Sequence, residues 1–149
     1  MAGRRESAAN PGSTIENAGP LTRAVLEYEQ TIKRLVPTVE APADWAQLAE
    51  FVAVDEFERV GTFLEVQDWQ QYTEMLTHWA KATTRFETTV QRISETARLV
   101  YFEIEERHYR GASTNVVNSM TVFDFDEAGK IRRLSVYLQQ PRWASTSEQ

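Results

Sequence analysis

Apolar residues recur at helical spacing in the first half of the chain and alternate with polar ones in the second. In LTRAVLEYEQTIKRLV they fall at Leu21, Val25, Tyr28, Ile32 and Leu35, steps of 4, 3, 4 and 3 that put them on one face of a helix. Lys33 and Arg34 sit in its last turn, where they complement the helix dipole, and Pro37 ends it. After the linker PTVEAPA, Asp44 and Gln47 have capping-box spacing and predict a second helix, with Trp45, Leu48, Ala49, Phe51 and Val52 as its buried side. Val54–Val60 predicts a short strand with Glu58 and Val60 on one face and Phe57 and Arg59 on the other, broken at Gly61, and residues 61–67 a loop. Asp68 and Gln71 repeat the cap signal before a third helix whose Trp69, Tyr72, Leu76 and Trp79 share a side.

Beyond Ala80 the period becomes two. Phe86–Ile93, Leu99–Tyr109, Val116–Phe125 and Ile131–Gln139 each predict a strand, with turns at Glu95–Arg98, Gly111–Asn115 and Asp126–Gly129. Helices followed by an antiparallel meander are the α+β pattern, and three amphipathic helices are what such a sheet needs to cover its apolar face.

The strand Leu99–Tyr109 carries the candidate chemistry. Its even positions read Val100, Phe102, Ile104, Glu106, His108, an apolar row ending in a carboxylate and an imidazole. Successive strand side chains point to opposite faces, so these five share one. A carboxyl in an apolar cavity has a raised pKa and an imidazole titrates near neutrality, so the pair suits acid–base work. The competing expectation is a solvated strand end.

Composition narrows the classes. The chain has 149 residues, enough for a sizeable core, and a net charge of −6, which excludes the basic footprint of a nucleic-acid binder. It has no cysteine, so neither a disulfide framework nor a thiolate nucleophile is available. No apolar run is long enough to span a bilayer, and the cytoplasm is the default location. Residues 1–19 are small and polar and predict a disordered tail before one domain over 20–140, with a short tail at 141–149. Glu105 and His108 have the spacing of a metal pair on a helix but face opposite ways on a strand. With two histidines in the chain, no metal site is assigned, and DFDEAG reads as a turn rather than a calcium loop.

Three stretches carry a family resemblance: DWAQLAEFVAVD, LVYFEIEE and, most closely, VFDFDEAGKIRRLSVY. Together they resemble the nuclear transport factor 2-like superfamily, in its branch of SnoaL-like cyclases, ketosteroid isomerases and limonene-epoxide hydrolases. The likeness spans Leu21–Gln139 and implies a cone: a curved antiparallel sheet wrapped on three N-terminal helices around one deep pocket. The base of the isomerases falls at Val60, which takes no proton, and their acid donor at Thr121. The epoxide hydrolases' first-strand Tyr and Asn fall at Glu58 and Val60, their third-strand Arg and Asp at Ile104 and Glu106, and their last acid at Val136. Only the Glu106 position keeps its chemical character.

The resemblance places Glu58, Thr121, Leu134, Val136 and Leu138 on the pocket side, with Val117, Ser119, Phe123 and Phe125 beside them. The expected catalytic groups are Glu106, His108 and Glu58. Tyr28, Trp69, Phe102, Ile104, Ser119, Thr121, Phe123, Leu134 and Val136 are expected to hold substrate. The function expected is a small enzyme, without cofactor, doing isomerase, dehydratase, cyclase, hydrolase or lyase chemistry on a hydrophobic small molecule. The alternative is a module of the same fold that binds a lipophilic ligand or dimerises without chemistry. The outer sheet face (Asn118, Met120, Val122, Arg133, Ser135, Tyr137) is where the family pairs subunits, which implies a homodimer; neither nucleic acid nor membrane is an expected partner.

Overall fold

Pro20 at the first helical position and the apolar stripe behind it start the helix α1, Pro20–Leu35, the first among the described residues. The computed structural model describes residues 18–142, so most of the two expected tails (1–17 and 143–149) lies outside the described residues. Gly19 is the N-cap of α1 and has no side chain to offer its exposed N–H groups. The Glu95 carboxylate does this instead, accepting from the Thr22 backbone N–H at 2.9 Å and the Thr22 hydroxyl at 2.8 Å. A Cβ on Gly19 would sit 2.8 Å from the same carboxylate oxygen, so glycine is what lets Glu95 approach.

The second helix differs from expectation. A 3₁₀ turn over Pro42–Trp45 leads into one short helical turn, α2, Ala46–Ala49. Asp44 reaches backwards, accepting from the Glu40 and Ala41 N–H groups at 2.9 and 3.0 Å, while Gln47 accepts from Arg34 at 2.7 Å. The Asp44–Gln47 capping box is therefore not formed. The one expected at Asp68 and Gln71 is, with bonds of 2.8 and 2.9 Å opening α3, Trp69–Ala82.

The described residues make three N-terminal helices and a six-stranded, curved, unclosed sheet, the expected α+β cone. The strands are β1 (Glu58–Val60), β2 (Val66–Gln67), β3 (Arg85–Thr96), β4 (Leu99–Arg110), β5 (Ser113–Phe125) and β6 (Ile131–Gln139), ordered β2-β1-β6-β5-β4-β3. All pairings are antiparallel except β1 with β6. Residues 54–56 form a 3₁₀ turn, so the first strand starts later than expected, and Val66–Gln67 is a strand rather than loop. Glu95 belongs to β3 and not to a turn; the β3–β4 hairpin closes on Ala97, at φ 52°. The β5–β6 turn needs Gly129, at φ 82°.

The parallel pairing of β1 corrects the phase of that strand. Arg59 lies opposite Leu134, which is buried, while Glu58 and Val60 lie opposite Arg133 and Ser135. A shift of one residue reverses the faces of a strand. Arg59 therefore faces inward, and Glu58, 52% exposed, faces Arg133 on the outside.

The core lies between the helices and the concave sheet face. Trp45, Leu48, Val25, Val100, Phe125 and Ile131 are all but inaccessible. α1 packs on β3 and β4, and α3 on β1 and β2, which leaves a hollow between the helices and the middle strands. No helix among the described residues is long and apolar enough to cross a membrane.

Candidate functional site

The hollow is a cavity of about 690 Å³, within the range of small-molecule sites. β4 supplies its wall as the alternation predicts: Phe102 and Ile104, then Glu106 and His108. β5 adds Val117, Thr121 and Phe123, and β6 adds Leu134, Val136 and Leu138. From the helices come Tyr28, Glu29 and Ile32 on α1, and Tyr72, Met75, Leu76 and Trp79 on α3.

Glu106 and His108 are brought together. His108 Nε2 lies 2.8 Å from Glu106 Oε1, and both side chains are 19% exposed. The Ser119 hydroxyl donates to the other carboxylate oxygen, Oε2, at 2.5 Å. On its far side His108 Nδ1 accepts from the Trp79 indole N–H at 3.2 Å. An indole N–H only donates, so Nδ1 carries no proton and the ring proton sits on Nε2, pointing at Glu106. Phe86 lies against the same imidazole, with ring centroids 5.0 Å apart. Trp79 and Phe86 thus hold the ring, and both Glu106 oxygens accept from donors fixed in the wall.

A second carboxyl enters the cavity. Glu29 on α1 is buried, accepts a short hydrogen bond from Thr88, and has the Lys33 ammonium donating to the same hydroxyl at 3.1 Å. Burial raises its pKa above the ordinary glutamate value, Glu106 nearby pushes the same way, and Thr88 and Lys33 oppose them. Two carboxyl groups thus face one cavity in different surroundings, an arrangement that separates acid from base. Sequence reasoning missed Glu29 because it lies next to Tyr28 at the margin of an otherwise apolar stripe, where a charge reads as solvated.

The third polar group is a tyrosine pair. The Tyr28 and Tyr72 hydroxyls are 2.9 Å apart and buried, and burial is the largest cause raising both phenols above their ordinary value. Arg59 lies over the Tyr72 ring, 5.6 Å from its centroid. Its Nη1 donates to Gln67 Oε1 at 3.0 Å and lies 3.7 Å from Glu65. Neither Arg59 nor Tyr72 is among the expected site residues. The reversed phase of β1 hides the arginine, and the apolar stripe of α3 marks the tyrosine as core.

Three expected site residues stand elsewhere. Glu58 is outside, for the reason of register given above. Trp69 is not part of the lining; it packs edge-on against Phe57, with centroids 5.2 Å apart, at the start of α3. Ser119 is buried behind the wall, where it holds Glu106. Among the described residues no group of three His, Cys, Asp or Glu side chains is placed to hold a metal ion.

No protein-family model matches the chain, and no curated protein sequence matches it with significance. Solved structures do. An NTF2-like protein from Anabaena variabilis superposes with a TM-score of 0.66 at 13% identity, covering 84% of this chain and 95% of that one. A Shewanella putrefaciens protein described as a putative SnoaL-like polyketide cyclase gives 0.68 at 9% identity, over 100% and 97% of the two chains. An LEH-like epoxide hydrolase of M. tuberculosis gives 0.59 at 15%, over 80% and 86%. Identities this low carry architecture and not activity. The helices, the strand order and these superpositions together make the fold of this chain nuclear transport factor 2-like, of the kind found in SnoaL-like and epoxide-hydrolase-like structures.

Proposed function

We propose that the cavity is the active site of a small enzyme, working without a cofactor, that moves a proton on a hydrophobic small molecule. The observation that carries this is the Trp79–His108–Glu106–Ser119 chain of hydrogen bonds set in an apolar wall. Glu106 is the proton acceptor, with His108 and Ser119 holding its oxygens. His108 is not a base in its own right, because Trp79 occupies the lone pair that would take the proton. Glu29, whose pKa burial raises, is the group placed to give a proton back. Phe102, Ile104, Phe123, Leu134 and Val136 hold the apolar body, and Thr121 and Tyr28 supply hydrogen bonds. Isomerisation, dehydration, cyclisation, hydrolysis and lyase reactions all need this pair of steps.

Two similar structures bear descriptions as a SnoaL-like polyketide cyclase and an LEH-like epoxide hydrolase, which supports this class of chemistry. Binding a lipophilic ligand without turnover is the second reading, favoured by Val136, which lines the cavity where the epoxide hydrolases carry an acid. The exposed outer sheet face, with Tyr101, Val116 and Tyr137, supports a homodimer, and the lack of cysteine fits the cytoplasm.

The test is mass spectrometry of the ligand that co-purifies with the protein, followed by turnover of that compound. Glu106→Gln is expected to lose activity by roughly 10²–10⁴-fold, with an unchanged circular dichroism spectrum. Undiminished turnover would remove Glu106 from the mechanism, and binding without turnover in the wild type would leave the second reading.

A further inference from the structure

Arg59 is a cation in the lining of this cavity that the proposed proton transfer does not use. It is 14% exposed in its side chain, and among the described residues its ion-pair partner is Glu65, at 3.7 Å and itself 46% exposed. Both Glu65 and Gln67 engage Nη1, so the rest of the guanidinium fork is available to a ligand. Beside it the Tyr28–Tyr72 pair spends one hydroxyl proton on the bond between the two oxygens and leaves the other for a third oxygen. Tyr72 stands within electrostatic reach of both Arg59 and Glu106, and the other arginine of the lining, Arg110, is exposed beyond His108.

We propose that the cavity takes an amphipathic organic anion, an apolar ring or chain bearing a carboxylate, enolate or phenolate oxygen, with that oxygen held by Arg59 and the tyrosine pair. The proposal rests on the cavity being a ligand site, as above, and adds the ligand's class and its direction. The Glu106 carboxylate repels an anion, so the charged head goes to Arg59 and the apolar body lies along β4 to β6. That orientation presents the body, not the head, to Glu106. A half-buried arginine fork with unspent donors matches an oxyanion better than a neutral oxygen, since only the oxyanion adds Coulomb attraction between opposite charges to the hydrogen bonds. A substrate that becomes an enolate when Glu106 takes its proton meets the same requirement, because the negative charge then develops at the Arg59 end.

The experiment is isothermal titration calorimetry at neutral pH with two probes of one shape, 2-naphthoate and 2-naphthamide, on the wild type, Arg59→Gln and Arg59→Lys. Wild type is expected to prefer naphthoate by about tenfold, Arg59→Gln to lose that preference, and Arg59→Lys to keep part of it. Circular dichroism checks that each variant is folded. If Arg59→Gln fails to fold, the wild-type preference and its reduction in Arg59→Lys decide the matter. Naphthamide binding with no preference for the anion, or a preference that survives in Arg59→Gln, overturns the proposal and leaves the ligand site intact. Binding of neither probe overturns both.

Discussion

The indole N–H of Trp79 fixes which nitrogen of His108 carries the proton, and this decides the division of labour in the wall. Trp79→Phe keeps the ring and removes the donor. It is expected to let the imidazole proton redistribute between Nδ1 and Nε2, which nitrogen-15 chemical shifts of the histidine ring detect. A wild-type spectrum with the proton on Nδ1 would contradict the assignment. Glu29 is a residue whose ionisation couples to stability. Its pKa in the folded protein lies above the ordinary 4.5, so the folded state holds the proton more tightly than the unfolded chain. The sign follows: the contribution is fully present below 4.5 and is lost as pH rises through the folded value. Urea unfolding from pH 4.5 to 8 is expected to show wild-type stability falling relative to Glu29→Gln; parallel profiles would mean that the folded-state pKa of Glu29 is not raised.

Among the elements, α3 brings Tyr72, Met75 and Trp79 to the cavity together, and its start is set by the Asp68–Gln71 capping box. Asp68→Ala is expected to cost about 1 kcal/mol in chemical denaturation and to loosen the Trp79–His108 contact. α1 is held differently. Its cap is Glu95, 73 positions from the Thr22 it bonds, so Glu95→Ala is expected to cost about 1 kcal/mol as well, although no local signal marks Glu95 as a cap. The contrast explains what was legible. Asp68 and Gln71 are neighbours in sequence, and their spacing announces them. Asp44 and Gln47 have the same spacing, but Pro42 has already opened a 3₁₀ turn, and Asp44 serves the N–H groups behind it. The alternation of β4 is legible because twelve residues of one strand repeat it, whereas β1 is three residues long and its phase comes from pairing with β6.

At the level of the whole molecule, the helices cover the concave side of the sheet and leave the convex side open. Tyr137 is 61% exposed there, with Tyr101 and Val116 also uncovered. If this face pairs two copies, sedimentation equilibrium is expected to give twice the chain mass for the wild type and the single mass for Tyr137→Glu; a monomeric wild type removes the dimer. The interior has its own test. Phe125→Ala removes a ring that is 1% exposed and is expected to cost roughly 3–5 kcal/mol, read from the denaturation midpoint.

The order of the helices and of the four long strands, the inward row of β4 and the wall residues Phe102, Ile104, Glu106 and His108 follow from the sequence alone, because periodicity is a local property that the backbone converts directly into faces. The positions of Arg59, Glu29 and Glu58 do not. A side chain on a short strand or at the edge of a stripe goes in or out according to what it pairs with, and those partners, Leu134 for β1 and Thr88 for Glu29, are far away in the chain. Tertiary structure alone therefore put a guanidinium and a second carboxyl into a cavity whose greasy wall could already be read from one strand.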